Sequence, residues 1–170
     1  MSNLKRIALT VWFAVLFGVL GLILIAATFN FRIGIPMQEI TCLPYKAMLL
    51  HQIKPATIQR GDFITFQPQQ NRMTERFNGQ YVTKMVGGIP GDTIKVAGGV
   101  LYINDRNFGQ LDIADKAAKA LHVDVSKFER AEVVPAGYIF MVGTLPRSFD
   151  SRYWGFLPIS EVVGTAYPIL

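Results

Sequence analysis

The strongest constraint on the fold of this chain is an apolar run near its N-terminus. Residues 7–31 contain no charged side chain, and Asn30 is their only strongly polar member. The run is longer than the roughly 20 residues that a helix needs to cross a bilayer, and longer than the roughly 7 to 15 residues of a secretory signal's apolar core. It therefore predicts a retained transmembrane signal anchor. The alternatives are a cleaved signal peptide, for which Ala26 and Ala27 give a poor cleavage pattern, and a buried globular helix.

Positive charges on both sides of this run predict its orientation. Lys5 and Arg6 precede it, and Arg32 follows it. Because basic residues are enriched on the cytoplasmic side of a membrane span, residues 1–31 are expected to form a cytoplasmic tail and the anchor. The chain is then expected to cross the inner (cytoplasmic) membrane once, with residues 32–170 forming an extracytoplasmic, periplasmic domain.

The pattern after the anchor is typical of a mainly antiparallel β domain. Short apolar or alternating segments are separated by glycine and proline turns, and strands do not alternate with helices. We expect strands at residues 63–66, 81–86, 93–96, 100–103, 138–142 and 161–169. A helical insertion is expected at about residues 111–132, where alanines and a leucine recur at helical spacing. Residues 45–58 fit a short helix or an irregular strand equally well.

The strand expected at residues 81–86 carries a lysine in an apolar setting. With the two-residue period of a strand, Val82, Lys84 and Val86 share one face. A lysine between two valines risks losing its water, and desolvation disfavours the charged form of the amine. Lys84 is therefore a candidate base in its neutral form. The alternative is that its stem covers the valines while the amine reaches solvent.

Cys42 is the single cysteine of the sequence. In an oxidising compartment such a residue is buried and inert, paired between chains, or a reactive thiol. His51 follows Cys42 by nine positions and offers a competing Cys and His pair, whereas His122 is interpreted as a surface residue of the insertion. These positions give no metal site. The charges are scattered, with a formal net charge of +5, and form no basic block of the kind that binds nucleic acid.

Four stretches, in this order behind the anchor, resemble motifs of one family. They are Cys42-Leu43-Pro44, residues 60–66 with Arg-Gly-Asp at their start, residues 81–92, and residues 148–155. Together they resemble the signal peptidase I family, membrane-anchored proteases with a serine and lysine dyad. The first stretch is similar to the family's Ser-Met-Pro step, with cysteine in place of serine. The short Cys-x-Pro step, the small size and the single span are most similar to the TraF-type branch, the conjugative-transfer peptidases that process pilins.

The resemblance implies a fold and a role for each of five residues. The fold would be a signal-peptidase-like antiparallel β domain with a small helical insertion. Cys42 would be the nucleophile and Lys84 the general base. Ser148 matches the serine that orients the lysine amine, and Asp150 and Arg152 match a pair that supports the site through a salt bridge.

The oxyanion hole is where the sequence departs from the family. Ile40 stands two residues before the nucleophile, where the family often supplies a hydroxyl. The main-chain N–H of Cys42 remains available as a donor, and Thr41 is a candidate substitute. Cysteine in place of serine leaves three interpretations open, namely a natural thiol variant, an engineered change and a loss of activity.

The expected function is removal of the leader of a precursor protein, in the first instance a conjugative pilin. Whether water or an amine releases the product stays open. The expected partners are the precursor, the lipid bilayer and components of a conjugation or type IV secretion apparatus, with no cofactor and no nucleic acid. The competing hypotheses are a catalytically silent scaffold of such an apparatus that binds pilin, and a redox protein, which would lack a resolving cysteine.

Two further expectations concern how substrate and membrane meet the domain. The substrate is expected to add as a strand beside the one that carries Lys84. Ile33, Ile35, Met37 and Leu43 are candidates for the lipid boundary and for the wall of a peptide groove, or else for ordinary core.

Overall fold

A long apolar helix precedes the sheets. The computed structural model describes residues 3–36, 42–68 and 80–170. Helix α1 spans Asn3–Thr28, and its stretch Lys5–Thr28 is long and apolar enough to cross a membrane. Nearly all of its described side chains are exposed, so the rest of the domain does not cover them. The predicted N-terminal apolar helix is confirmed.

Eleven strands in the described part of the chain form two antiparallel sheets. In chain order they are β1 (Phe31–Gly34), β2 (Met48–His51), β3 (Phe63–Phe66), β4 (Val82–Gly88), β5 (Thr93–Ala97), β6 (Val100–Ile103), β7 (Arg106–Gln110), β8 (Arg130–Val133), β9 (Tyr138–Val142), β10 (Leu157–Pro158) and β11 (Val162–Pro168). The larger sheet has the order β1-β2-β11-β3-β4-β9-β10, and the smaller has the order β7-β6-β5-β8. The predicted mainly antiparallel β domain is confirmed.

Helices outside α1 are short. The insertion expected at about residues 111–132 contains α2 (Ala114–Leu121) and a 3-10 turn at Val125–Phe128, after which β8 joins the smaller sheet. Helix α3 (Ser151–Trp154) follows β9, and a second 3-10 turn covers Ile159–Glu161.

Strand β4 is longer than its sequence pattern indicates. The predicted strand ends at residue 86, and the glycine pair that follows it is typical of a turn, but β4 continues through Gly87 and Gly88. A Cβ added to Gly87 would lie 3.0 Å from Val142, and one added to Gly88 would lie 3.1 Å from Ile94. The glycines therefore let neighbouring parts of the chain pack closely against β4, which is one reason for a glycine to occur inside a strand.

Strand β4 lies between two apolar cores. Its Val86 packs with Ile64 and Met141 on one face. On the other face, Met85 packs against a cluster that includes Val142 and residues of the smaller sheet, α2 and α3. Because the strand is covered on both faces, a polar side chain within it has little access to water.

Residues 45–58, for which the sequence fits a short helix or an irregular strand equally well, contain strand β2. This strand lies between β1 and β11, and its Met48 packs with Leu43 and Ala166, with Leu50 against the same cluster. Leu43, a candidate for the lipid boundary or the core, thus belongs to the core. Met37 lies outside the described residues.

A buried carboxylate joins the turn before β3 to the turn after β4. Asp92 is only 4% exposed. It accepts hydrogen bonds from Arg60 Nε at 2.6 Å, from Asn104 Nδ2 at 2.9 Å and from the main-chain N–H of Ile89 at 2.9 Å. These bonds, with that from Arg60 first, hold the pKa of Asp92 well below its usual range. Two of the four family-like stretches are therefore tied together by one ion pair.

Replacing Asp92 with asparagine should lower the free energy of unfolding by about 1 to 2 kcal/mol at pH 7, because charge-assisted hydrogen bonds are lost beside a half-exposed arginine. The pKa of Asp92 is lowered on folding, so its carboxylate stabilises the folded chain above about pH 4, and this stabilisation is lost as the pH falls further. The difference between parent and Asp92→Asn should therefore shrink below about pH 4. Urea unfolding of the full chain in detergent, followed by circular dichroism, measures both effects.

Asp105→Asn is the matched control. It makes the same chemical change at an exposed residue of the turn between β6 and β7, and it should alter the free energy of unfolding by less than about 0.5 kcal/mol. Equal losses in the two variants, or a loss for Asp92→Asn that does not vary with pH, would contradict the role given to Asp92.

Candidate active site

Lys84 is buried in the middle of the larger sheet. It lies on β4 opposite Ile64 of β3, and the whole residue is 1% exposed. Its face alternates as expected, since Lys84 and Val86 are both buried while Met85 between them packs on the other side. The amine does not reach solvent, so the alternative in which it extends into water does not describe this structure.

The Lys84 amine has a hydrogen-bond partner in the loop after β9. Its Nζ donates to Ser148 Oγ at 3.0 Å, and Ser148 is itself fully buried. A buried amine without a partner would be strongly destabilising. The hydrogen bond therefore fixes the direction of the amine as well as lowering the cost of its burial.

A buried ion pair holds the loop that carries Ser148. Arg152 donates to Asp150 through Nε at 2.8 Å and through a terminal guanidinium nitrogen at 2.7 Å. Burial opposes the charged form of Arg152, but its hydrogen bonds to Asp150 outweigh this, and the pKa of Arg152 is raised. Asp150 also accepts the main-chain N–H of Gly143 at 2.7 Å, and Arg152 donates to the Gln110 carbonyl at 3.1 Å. Both ends of the loop are thus tied to one carboxylate.

Gly143 is a residue of this site that the sequence analysis missed. A Cβ added here would lie 2.0 Å from Ser148 Oγ, 2.4 Å from Ser148 Cβ and 2.8 Å from the carbonyl oxygen of Cys42. No real side chain tolerates such distances. Its signal in the sequence is a glycine ending an apolar strand, which is equally typical of an ordinary turn.

Cys42 reaches the site through its main chain. Its carbonyl oxygen accepts the N–H of Leu145 at 3.3 Å and lies against Gly143. Its thiol is free and the residue is partly buried. The same glycine contacts Cys42 and Ser148, so the structure brings the candidate nucleophile's backbone beside the residue that holds the Lys84 amine. Ile40 and Thr41 lie outside the described residues.

The two histidines lie elsewhere. The ring of His51 stacks on Phe31 at 4.6 Å, and alternation along β2 directs it away from Leu50, which packs in the cluster of Leu43. His122 is exposed and caps α2 in the left-handed conformation. Neither position supports a Cys and His pair. Within residues 3–36, 42–68 and 80–170, no group of three or more His, Cys, Asp or Glu side chains is placed to hold a metal ion.

Comparison with known proteins identifies the family. A family model described as signal peptidase, peptidase S26, matches residues 4–170. The chain belongs to this family. The resemblance to signal peptidase I is thereby confirmed.

Individual relatives match the chain in part. It is 26% identical over 109 residues to the probable signal peptidase I-2 of Synechocystis sp., covering 64% of this chain and 46% of the relative. It is 31% identical over 114 residues to signal peptidase I of Bacillus caldolyticus, covering 63% and 58% respectively. A crystal structure of a signal peptidase I from Enterococcus faecalis matches with 31% identity and a TM-score of 0.39, covering 64% of this chain and 96% of that one. The chain spans about half the length of the curated relatives it matches.

Gly143→Ala should lower the free energy of unfolding of this chain. The added methyl must displace Ser148 or Cys42, and overpacking of this kind costs about 1 to 3 kcal/mol. Ser148→Gly removes two of the three clashing atoms, so the double variant should lose less than the sum of the single losses. Chemical unfolding of the four proteins in detergent measures the coupling.

Gly18→Ala is the control for this cycle, since a Cβ at Gly18 would meet nothing within 4 Å. It should not lower the free energy of unfolding, because alanine favours a helix more than glycine does, and it should show no coupling to Ser148→Gly. Additive losses for Gly143→Ala and Ser148→Gly would mean that the two residues do not compete for the same space.

Proposed function

We propose that this chain is a membrane-anchored leader peptidase in which Cys42 is the nucleophile and Lys84 the general base. The observation that carries the proposal is the buried Lys84 amine, held by Ser148 at the point where Gly143 also meets the backbone of Cys42. A lysine that is 1% exposed within a sheet contributes nothing to stability that an apolar residue would not contribute at lower cost. Proton transfer is a function that an apolar residue at this position could not perform.

The proposed reaction begins with transfer of the thiol proton. A neutral amine keeps two N–H groups and has one lone pair, so Ser148 can accept one N–H while the lone pair takes the proton of Cys42. The sulfur then attacks the carbonyl carbon of the scissile peptide bond, and the main-chain N–H of Cys42 stabilises the resulting oxyanion. As the C–N bond breaks, Lys84 returns the proton to the leaving amine.

Release of the leader completes the cycle. Water attacks the thioester while Lys84 accepts one of its protons, the C–S bond breaks, and the thiolate recovers the proton from Lys84. A thiol gives up its proton more readily than a hydroxyl, so cysteine can be deprotonated by a weaker base than the family's serine requires. Replacement of serine by cysteine is thus compatible with the same dyad.

The substrate is proposed to add as a strand beside β4. On its β3 side, β4 is paired from Val82 to Met85, whereas on its β9 side the pairing runs from Met85 to Gly88. Among the described residues, no strand pairs with Val82–Lys84 on the β9 side. An extended peptide that added there would lie next to Lys84.

The membrane is proposed to hold the enzyme where its substrate is presented. Only Phe29 and Asn30 separate α1 from β1. Ile33 within β1 is 70% exposed, and Ile35 just after it is 68% exposed. We propose that α1 crosses the inner membrane with its N-terminus in the cytoplasm, and that Ile33 and Ile35 rest at the outer boundary. A leader that is itself a membrane segment is then confined to the same surface, which raises the effective concentration.

The proposed substrate is a pilin-like precursor of a conjugation or type IV secretion apparatus. The support is the Cys42-Leu43-Pro44 step, which is most similar to the TraF-type branch, together with the one helix among the described residues that is long and apolar enough to cross a membrane. A silent scaffold that binds the same precursor is the competing function, and the presence of cysteine in place of serine is what favours it.

Cleavage of a precursor pilin by the purified protein in detergent tests the dyad. Cys42→Ala and Lys84→Met should each lower kcat by at least about 100-fold, because each removes a group that transfers or attacks. Cys42→Ser should keep measurable cleavage. Lys95→Met is the matched control, since Lys95 is exposed on β5, and its kcat should equal that of the parent.

Each outcome decides between the readings. If Lys84→Met still cleaves the precursor, Lys84 is not the general base. If the parent binds the precursor without cleaving it, the protein is a scaffold. A general secretory preprotein offered in parallel tests the substrate: cutting of that preprotein alone would refute the pilin assignment and leave the dyad standing.

A further inference from the structure

The segment that carries the proposed nucleophile has no helix or strand of its own. Cys42 begins a run of bends that ends where β2 starts at Met48. We propose that Ile169 and Leu170, which continue β11, are positioning residues that fix this segment through their main chain. The proposal rests on the proposed function, because it concerns how the nucleophile is held.

Four main-chain hydrogen bonds join the two segments. The N–H groups of Lys46 and Ala47 donate to the main-chain oxygen of Leu170 at 2.6 and 3.2 Å. In the other direction, the N–H groups of Ile169 and Leu170 donate to the Ala47 carbonyl at 3.0 and 3.4 Å. The contact lies four to five residues after Cys42, close enough for a shift there to reach the thiol.

The side chains of the two residues do not explain the contact. Ile169 is 50% exposed and Leu170 is 76% exposed, so neither side chain contributes much to the core. What the pair supplies is hydrogen-bonding groups at fixed places. This separates a role in positioning from a role in packing.

The strand behind the pair is itself firmly held. Residues 165–168 of β11 pair with β2 on one side, and Thr165 and Ala166 pair with β3 on the other. Ala166 also packs against Leu43, the residue after the proposed nucleophile. Strand β11 therefore acts on the segment twice, through an apolar contact next to Cys42 and through hydrogen bonds at its far end.

A third contact completes the support. The Cys42 carbonyl accepts the N–H of Leu145 at the start of the segment. The segment is therefore held at its start by the loop after β9 and at its far end by the residues after β11, and these contacts set the position of Cys42 relative to Lys84 on β4. A displacement of about 1 Å can cost an enzyme about 100-fold in rate, so loosening the far end should act on catalysis before it acts on folding.

The test compares Ile169→Pro, which removes an N–H donor, with Ile169→Ala, which keeps it. In cleavage assays on the full chain in detergent, Ile169→Pro should lower kcat at least about tenfold with little change in KM, while Ile169→Ala should match the parent. Cys42 is the one cysteine, so its rate of alkylation by iodoacetamide, followed by mass spectrometry, reports the segment directly. That rate should rise severalfold in the proline variant alone.

Proline and alanine substitutions at Lys46 provide a second test in case Ile169→Pro does not fold. If Ile169→Pro unfolds more than a few degrees below the parent, Lys46→Pro and Lys46→Ala replace it, since Lys46 N–H makes the shortest of the four bonds. Equal kcat and equal alkylation rates in the proline and alanine variants would overturn the proposal. A parent that fails to cleave any precursor would count against the peptidase function, and the alkylation rates would still decide the positioning.

Discussion

A buried amine must find a hydrogen-bond acceptor to replace its lost water, and much of the centre of this chain follows from that requirement. Lys84 is buried in the larger sheet, with Ile64 of β3 beside it, and the acceptor for its amine comes from a loop. Ser148 fills that place, and the loop is kept there by Asp150, which binds one end through Gly143 and the other through Arg152. The ion pair therefore matters less for its own energy than for where it puts a hydroxyl.

Three parts of the chain that are far apart in sequence meet near the Ser148 hydroxyl. Strand β4 supplies the Lys84 amine, and the loop after β9 supplies the acceptor. The segment that starts at Cys42 supplies a carbonyl that lies against Gly143. The proposed chemistry depends on all three, and each is fixed by a different set of contacts. A site built in this way is sensitive to changes in the sheet at positions outside the site itself.

The sequence was informative wherever one residue's own neighbours decide its environment. Alternation alone placed Lys84 on an apolar face, and the pattern of short strands with glycine turns gave the class of fold. The acceptor for the amine and the roles of Asp150 and Arg152 came from resemblance, because no periodicity in one strand reports a contact made 64 residues later. The strand or helix choice at residues 45–58 stayed open since β2 is a strand only through its partners β1 and β11.

The misses have a common physical cause. The strand predicted at residues 81–86 stops before Gly87 and Gly88, and the sequence analysis gives Gly143 no role, yet at all three positions another part of the molecule occupies the space that a side chain would need. A missing side chain leaves no pattern of its own in a sequence. Its reason becomes visible only when the neighbouring atoms have coordinates.

The crowding at Gly143 also limits how this site can change over generations. Ser148 can become smaller without disturbing its surroundings sterically, whereas Gly143 cannot become larger until both Ser148 and the Cys42 backbone have moved. Substitution of Ser148 by glycine must therefore come first, and it would leave the Cys42 carbonyl as the remaining close contact of a Cβ at position 143. The order in which the two positions vary would then record whether the amine of Lys84 was still in use.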